Sequence, residues 1–199
     1  MTPFVLAAMA LSLERLCYIW VWRRPEVFRA RIARLSRVVA IDPVTAVRLL
    51  FYAFKVLQFT VFVAWLYVFG HGEIWTAPRP SGVVASGVAL IIAGQILNVA
   101  VFLRLGSVGV FYGSRFGHDV PWVDAFPFSW LKHPQYLGTV LSIWGLFVAV
   151  RFPAPDWYVL PLLETAYYAL GARLEQDPGP RISGPGTDFG LRTPDPGTS

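Results

Sequence analysis

Residues 126–138 read FPFSWLKHPQYLG, with Lys132, His133, Gln135 and Tyr136 standing immediately before or at the start of a long apolar run. Pro134 suits the first turn of a helix, where its missing N–H costs nothing. The free backbone donors of such a helix start attract an anion, for example a carboxylate. Lys132 and His133 add positive charge or donors, and Tyr136 adds a hydroxyl one turn in. A second polar group is Gly94, Gln95 and Asn98, whose i,i+3 and i,i+4 spacing puts them on one helix face. Such side chains in an apolar segment either bond a neighbouring helix or line a pocket for a ligand's amide, ribose or adenine edge. Glu175 leaves the last apolar block and is either solvated or an acceptor for a ligand's ammonium or hydroxyls. Glu164 lies deeper, where an ionisable group is a functional candidate, although Tyr158, Tyr167 and Tyr168 also allow a neutral packing role. Gly109, Gly113 and Gly117 fall four apart and would line one helix face, for close packing or for a flat ligand. His118 and Asp119 are further proton acceptors, but too little for a metal site, and none is expected.

These residues sit in a chain of 199 residues that is 55% hydrophobic and 15% charged. Soluble domains carry about 25% charged residues, and here the apolar excess is collected into blocks near the roughly 20 residues needed to cross a bilayer. The net charge of +5 does not point to nucleic acid, because Arg23, Arg24, Arg29, Arg31, Arg34 and Arg37 all lie between the first two apolar blocks. That is where basic residues belong on a cytoplasmic loop. Cys17 is the only cysteine, which excludes an intramolecular disulfide and a CxxC motif. Neither GxGxxG nor a P-loop occurs, so a soluble-type Rossmann site is unsupported.

The elements that must position the polar residues follow from the blocks. Phe4 to Trp22 is apolar, interrupted by Glu14 and Arg15, and closed by Trp20, Trp22 and arginines. It lacks a basic start and ends in aromatics rather than an A-x-A cleavage site, so it reads as a retained segment that spans or lies partly in the interface. An amphipathic basic helix follows, suited to an anionic lipid surface or to plain solvation. Val44–Gly70 and Val83–Leu103 are the second and third blocks, and residues 104–134 are a mixed connection. Leu137–Val150 and Tyr158–Leu174, joined by RFPAPDW, predict a C-terminal helical hairpin. The fold class is therefore all-α: a polytopic helical membrane protein with four or five hydrophobic segments. Residues 1–176 form one membrane-embedded domain, and 177–199 are a disordered Pro/Gly-rich tail. The basic loop, residues 104–133 and the tail share the cytoplasmic side.

The run GQILNVAVFLRLGSVGVFYGSRFGHDVPWVDAFPFSWLKHPQYLG, residues 94–138, resembles the phospholipid N-methyltransferases, above all the plant-type enzymes. LGxxGxxYGxRFG, PWVxxFPF and PQYxG carry the likeness, which holds over roughly residues 90–178. More distantly, HPxYxG followed by a membrane hairpin and an acid looks like the isoprenylcysteine carboxyl methyltransferases. The resemblance implies transfer of methyl groups from S-adenosylmethionine to the amine of ethanolamine phospholipids, towards phosphatidylcholine, with mono- and dimethylated lipids favoured. It places cofactor contacts at Ile92, Ala93 and Gly94, with Gln95 beside them, and at Glu175 and Gln176, where the animal pattern has a Glu-Glu pair. The HPxYxG likeness adds His133, Tyr136 and Gly138.

Such a transfer is an in-line displacement, so the protein must align the amine, methyl and sulfur. The amine must be neutral, and Glu175, Glu164, His118 and Asp119 are the candidate acceptors for its proton. Phe111, Tyr112, Trp122, Phe126 and Phe128 offer faces for a methylated ammonium. The implied partner is a phospholipid in the membrane, with no metal and no nucleic acid, and the sequence is silent on oligomeric state. The location is the endoplasmic reticulum membrane in a eukaryote or the inner membrane in a bacterium. The alternatives are a related membrane methyltransferase acting on an isoprenylcysteine carboxylate or a small thiol, and a non-enzymatic membrane protein.

Overall fold

A computed structural model describes residues 2–36, 40–74, 80–120 and 123–176. The tail from residue 177, read above as disordered, lies outside the described residues, as does Trp122. Among the described residues the regular structure is entirely helical: α1 (Thr2–Arg23), α2 (Pro25–Leu35), α3 (Pro43–Phe69), α4 (Ser81–Val110), α5 (Pro134–Val150) and α6 (Val159–Gln176). Three helical stretches, α1, α3 and Ser81–Phe116, are long and apolar enough to cross a membrane. At 17 residues, α5 reaches only about 25 Å at 1.5 Å per residue, and with α6 it forms the hairpin expected from the sequence.

The tightest packing joins α4 to α5. Gly87 lies against Gly145 and Gly94 against Gly138, seven residues apart on each antiparallel helix. A methyl group on Gly145 would stand 2.5 Å from the Gly87 carbonyl oxygen, so the two backbones touch directly. In hydrocarbon, burying apolar surface gives no drive to associate, and small residues that admit close backbone approach supply it instead. Ser142 and Gln95 extend this contact, with Gln95 Nε2 donating to Ser142 Oγ at 2.9 Å and Ser142 Oγ to the Gly138 carbonyl at 2.9 Å.

On the other side α1 packs on α3 and α6 around a core of Leu11, Phe62, Leu66 and Leu160, with Phe147 of α5 in the same cluster. Of the two readings of the first segment, α1 fits a spanning one: it is one continuous helix, long and apolar enough to cross, with Glu14 and Arg15 buried within the bundle. Asp42 starts α3 by accepting hydrogen bonds from the backbone N–H groups of Val44 at 2.9 Å and Thr45 at 3.1 Å. The Thr45 side chain, then these backbone donors, hold its carboxyl below the ordinary value of 3.8. The α5–α6 turn is pinned by Arg151, whose guanidinium bonds Asp156 at 2.8–3.0 Å and the Phe69 carbonyl at 2.5 Å. Trp65 Nε1 donates to the same carboxylate at 2.9 Å, so this buried pair is fully bonded.

The mixed connection behaves differently from its sequence reading. Helix α4 runs on to Val110 across a break at Gly106, whose φ of 62° only glycine adopts freely. Gly113 opens a short 3-10 turn, Gly113–Phe116, and Gly117 stands beyond it in the left-handed region. Gly109, Gly113 and Gly117 therefore do not share a helix face, because the helix ends before the second of them. The 3-10 turn meets α2, where Phe28 is buried between Trp20 at 5.9 Å and Phe116 at 5.7 Å, while Arg24, Arg31 and Arg34 face outward. The basic helix, the 3-10 turn, the start of α5 and the end of α6 thus share one end of the bundle.

Candidate active site

That end holds a cavity of about 260 Å³, lined from five directions. Glu14, Arg15, Tyr18 and Trp22 project from α1, and Val47 and Phe51 from α3. Leu105 to Ser114 bring in Phe111 and Tyr112, the α5 approach gives Lys132 to Tyr136, and α6 gives Tyr168 and Glu175. The space far exceeds the ~10–15 Å³ that one water needs.

The break after α4 is what aims Tyr112 inward. Tyr112 sits in the left-handed region at φ 60°, which costs roughly 1 kcal/mol or more for a residue with a side chain. Its hydroxyl donates to Glu175 Oε1 at 2.8 Å, and its ring meets Trp22 at 5.3 Å and Tyr18 at 6.1 Å, both edge to face. On the α5 side the His133 and Tyr136 rings stack at 5.8 Å, and Tyr136 packs edge to face on Tyr168 at 5.5 Å. The result is a carboxylate surrounded by aromatic rings, a surface suited to cationic groups.

Behind the cavity wall lies a buried ionic network. Arg15 bonds Glu14 at 3.2 Å and lies 3.7 Å over the Tyr168 ring. Lys55 reaches Glu14 at 3.5 Å, Gln58 Oε1 at 2.9 Å and the Tyr168 hydroxyl at 3.1 Å. Gln58 Nε2 in turn donates to Glu164 at 2.7 Å. Two acids and two bases balance, which is the condition for placing four ionisable groups inside a membrane bundle. Three donors in the cavity wall nevertheless stay unmatched: Arg15 Nε, Tyr18 Oη and Trp22 Nε1 are buried without a hydrogen-bond partner. Buried donors are rarely left so.

The structure brings together Glu175, His133 and Tyr136 among the residues named from sequence, and adds Phe111, Tyr112 and Phe128 of the aromatic set. Other candidates lie elsewhere. Gly94 and Gly138 are occupied by backbone contact with each other. Ile92 and Ala93 are exposed on the outer face of α4, and Gln95 bonds Ser142 of α5. Glu164 is buried one layer behind the cavity with Gln58. His118 and Asp119 are exposed beyond the 3-10 turn. Phe126 is exposed, against Trp130, and Gln176 is the last residue of α6. The cavity residues missed by sequence reasoning are those of α1: Arg15, Glu14, Tyr18 and Trp22. The signal for them was a charged pair in mid-segment, which the structure buries beside the cavity rather than at an interface.

Fold and cavity together define a polytopic helical membrane protein with a polar, aromatic-walled site at one end of its bundle. Residues 83–177 match the phospholipid methyltransferase family. The chain is 43% identical over 63 residues to the phosphatidyl-N-methylethanolamine N-methyltransferase of Arabidopsis thaliana, covering 32% of this chain and 38% of that one. It is 31% identical over 106 residues to the Saccharomyces cerevisiae protein of the same name, covering 53% and 47%. With the phosphatidylethanolamine N-methyltransferase B of Dictyostelium discoideum it shares 30% identity over 94 residues, 46% of each chain. The matched regions are thus less than half the length of each of these relatives. No solved structure matches the chain.

Proposed function

We propose that this protein transfers methyl groups from S-adenosylmethionine to the amine of ethanolamine phospholipids, towards phosphatidylcholine, with N-methylated forms as its preferred acceptors. The observation that carries the reading is the cavity itself. In a chain whose residues 83–177 match the phospholipid methyltransferase family, it joins Glu175, a set of aromatic rings and three unmatched donors.

The groups present suit the donor molecule, which has both positive and acceptor ends. Glu175, fixed by Tyr112, would hold its ammonium or ribose hydroxyls, and Tyr136 and His133 would flank it. Arg15, Tyr18 and Trp22 would answer its carboxylate and ring acceptors. When bound, S-adenosylmethionine supplies a methyl group made electrophilic by a sulfonium. The lipid amine must be neutral to accept that methyl, so it must first give up a proton. Two carboxylates touch the cavity, and Glu14 is engaged by Arg15 and Lys55. Glu175 is accordingly our acceptor for that proton, with Glu164 as a buried charge in the supporting network and His118 without a part. Tyr18, Trp22 and Tyr112 give the methylated ammonium ring faces that stabilise it as its hydrogen-bonding protons are lost.

The basic residues of α2 share the cavity's end of the bundle, and basic residues mark the cytoplasmic face. The site therefore opens to the cytoplasm, in the endoplasmic reticulum membrane of a eukaryote or the inner membrane of a bacterium. The test is to reconstitute the chain in bilayers of phosphatidylethanolamine or its mono- or dimethyl form, with methyl-labelled S-adenosylmethionine. Label should enter the lipid fraction and separate as methylated headgroups. Label absent from all three lipids overturns the proposal.

A further inference from the structure

A second cavity of about 310 Å³ lies between α3 and the α4–α5 pair. Helix α3 touches α4 only sparsely, because α4 is committed to α5 and α3 to α1. The seam left between them adjoins the active-site cavity, since Phe51, Phe111, Gln135 and Thr139 line both. Phe111 stands at the junction, with ring contacts to Phe51 at 5.5 Å and Phe102 at 6.1 Å. At the outer edge Tyr52 and Phe59 are exposed on α3, so the seam runs from the lipid-facing surface to the site.

The seam is not uniformly apolar. Asn98 lines it, and its Oδ1 is buried without a partner. That oxygen is turned towards Gly138, where a methyl would stand 2.7 Å away. The amide's N–H donors are thus left to answer an acceptor brought into the seam. Gln135 adds a second carboxamide one turn nearer the active site. The depth of Asn98 is informative. Gly138 lies five residues beyond His133, which is about 7 Å along α5. The polar layer of a bilayer leaflet, from headgroup to the start of hydrocarbon, is about 5–8 Å thick. A phospholipid whose amine sits beside His133 and Glu175 would therefore place its ester carbonyls, which accept but do not donate, at the level of Asn98.

We infer that the α3–α4 seam holds the glycerol-ester region of the phospholipid acceptor, and that Asn98, with Gln135, makes the protein prefer an ester-linked lipid over its ether-linked counterpart. The inference rests on the proposed function for the identity of the lipid, but its preference is read separately. Two lipids serve as probes, diester and diether phosphatidyl-N-methylethanolamine of equal chain length. Asn98→Leu keeps the side chain's bulk and removes its donors. For each protein, binding of the two lipids is measured by native mass spectrometry, and methyl transfer by label incorporation.

The unaltered protein should favour the diester lipid about 5- to 10-fold, the range expected for a hydrogen bond worth ~1–1.5 kcal/mol, and N98L should bring that ratio to about one. Because the readout is a ratio within one protein, a general loss of folded N98L does not imitate it, and Gln135→Leu should lower the ratio in the same direction. An unaltered protein that methylates both lipids but binds them equally, or an N98L that keeps the preference, overturns the seam assignment and leaves the methyltransferase reading standing. An Asn98-dependent preference with no methyl transfer to either lipid leaves the seam standing and overturns that reading.

Discussion

Gly138→Ala tests whether backbone contact between α4 and α5 sets the position of the site. The new methyl would lie 2.6 Å from the Gly94 carbonyl oxygen and 2.7 Å from Asn98 Oδ1, where ordinary contact begins at 3.4 Å. The helices must therefore part by about 0.8 Å, the difference between those distances. A gap of ~0.5–1 Å already forfeits a quarter to a half of each dispersion contact along the seam, and in hydrocarbon no apolar burial offsets it. Overpacking of this kind costs about 1–3 kcal/mol, a fall in Tm of roughly 2–12 °C for a chain of this size. Gly145→Ala is the matched control, with its methyl 2.5 Å from the Gly87 carbonyl oxygen but seven residues, about 10 Å, further along α5. Tryptophan fluorescence of the detergent-solubilised proteins on heating should show both variants melting early. Titration with S-adenosylmethionine should show weakened binding only for G138A, because His133 and Tyr136 ride on the displaced end. A G138A protein that melts with the unaltered chain would refute the argument from close approach.

Glu175→Gln should weaken S-adenosylmethionine binding by about 10- to 100-fold, the loss expected when a charge-assisted hydrogen bond worth ~1.5–3 kcal/mol is removed. Tyr112→Phe, which frees the same carboxylate at 2.8 Å, should cost less in the same calorimetric titration. Arg151→Met leaves Asp156 buried and uncompensated and should destabilise the bundle by about 3–5 kcal/mol. That site lies at the other end of α5, so cofactor affinity of the folded fraction should not change. Asp42→Ala removes the α3 cap and should cost about 1 kcal/mol. Because the folded carboxyl titrates below its ordinary value of 3.8, the wild-type advantage is complete above that value and fades as pH falls through the lower folded value. Melting curves of both proteins between neutral and acid pH should converge, and a gap that persists unchanged in acid would contradict the capping role.

The hydrophobic blocks made the helices legible, since Val44–Gly70 in sequence became Pro43–Phe69 in structure, and the hairpin was readable from two short runs around a proline-rich turn. The end of α4 was not readable in the same way. Its hydropathy fades near Leu103 while the helix continues to Val110, because backbone hydrogen bonds persist where lipid contact does not. Of the site, the groups after a helix-start signal or at a block's exit were visible: His133, Tyr136 and Glu175. Gly94 and Gly138 were visible too, but a glycine that lets a ligand approach and one that lets a helix approach look the same in one sequence, and here the helix takes the space. The α1 residues were not read as part of a site because their partners, Lys55 and Tyr168, are far away along the chain. A charged pair in an apolar run reads as disruption until the opposite charges are found.

The cavity is divided between the two halves of the chain. The family match begins at residue 83, yet Arg15, Tyr18 and Trp22, the source of all three unmatched donors in the cavity wall, precede it. So do Glu14 and Lys55, while Glu164 and Tyr168 lie within it. The matched segment alone would leave Glu164 without Gln58 and one wall of the cavity open to lipid. The network between α1, α3 and α6 therefore does two things with the same atoms. It neutralises charges that hydrocarbon would not tolerate singly, and it ties α1 to α3 and α6 beside the cavity that Arg15, Tyr18, Trp22 and Glu175 line. The α1 side chains wall one side of the cavity, and the matched segment supplies Glu175 and the start of α5 that line the other.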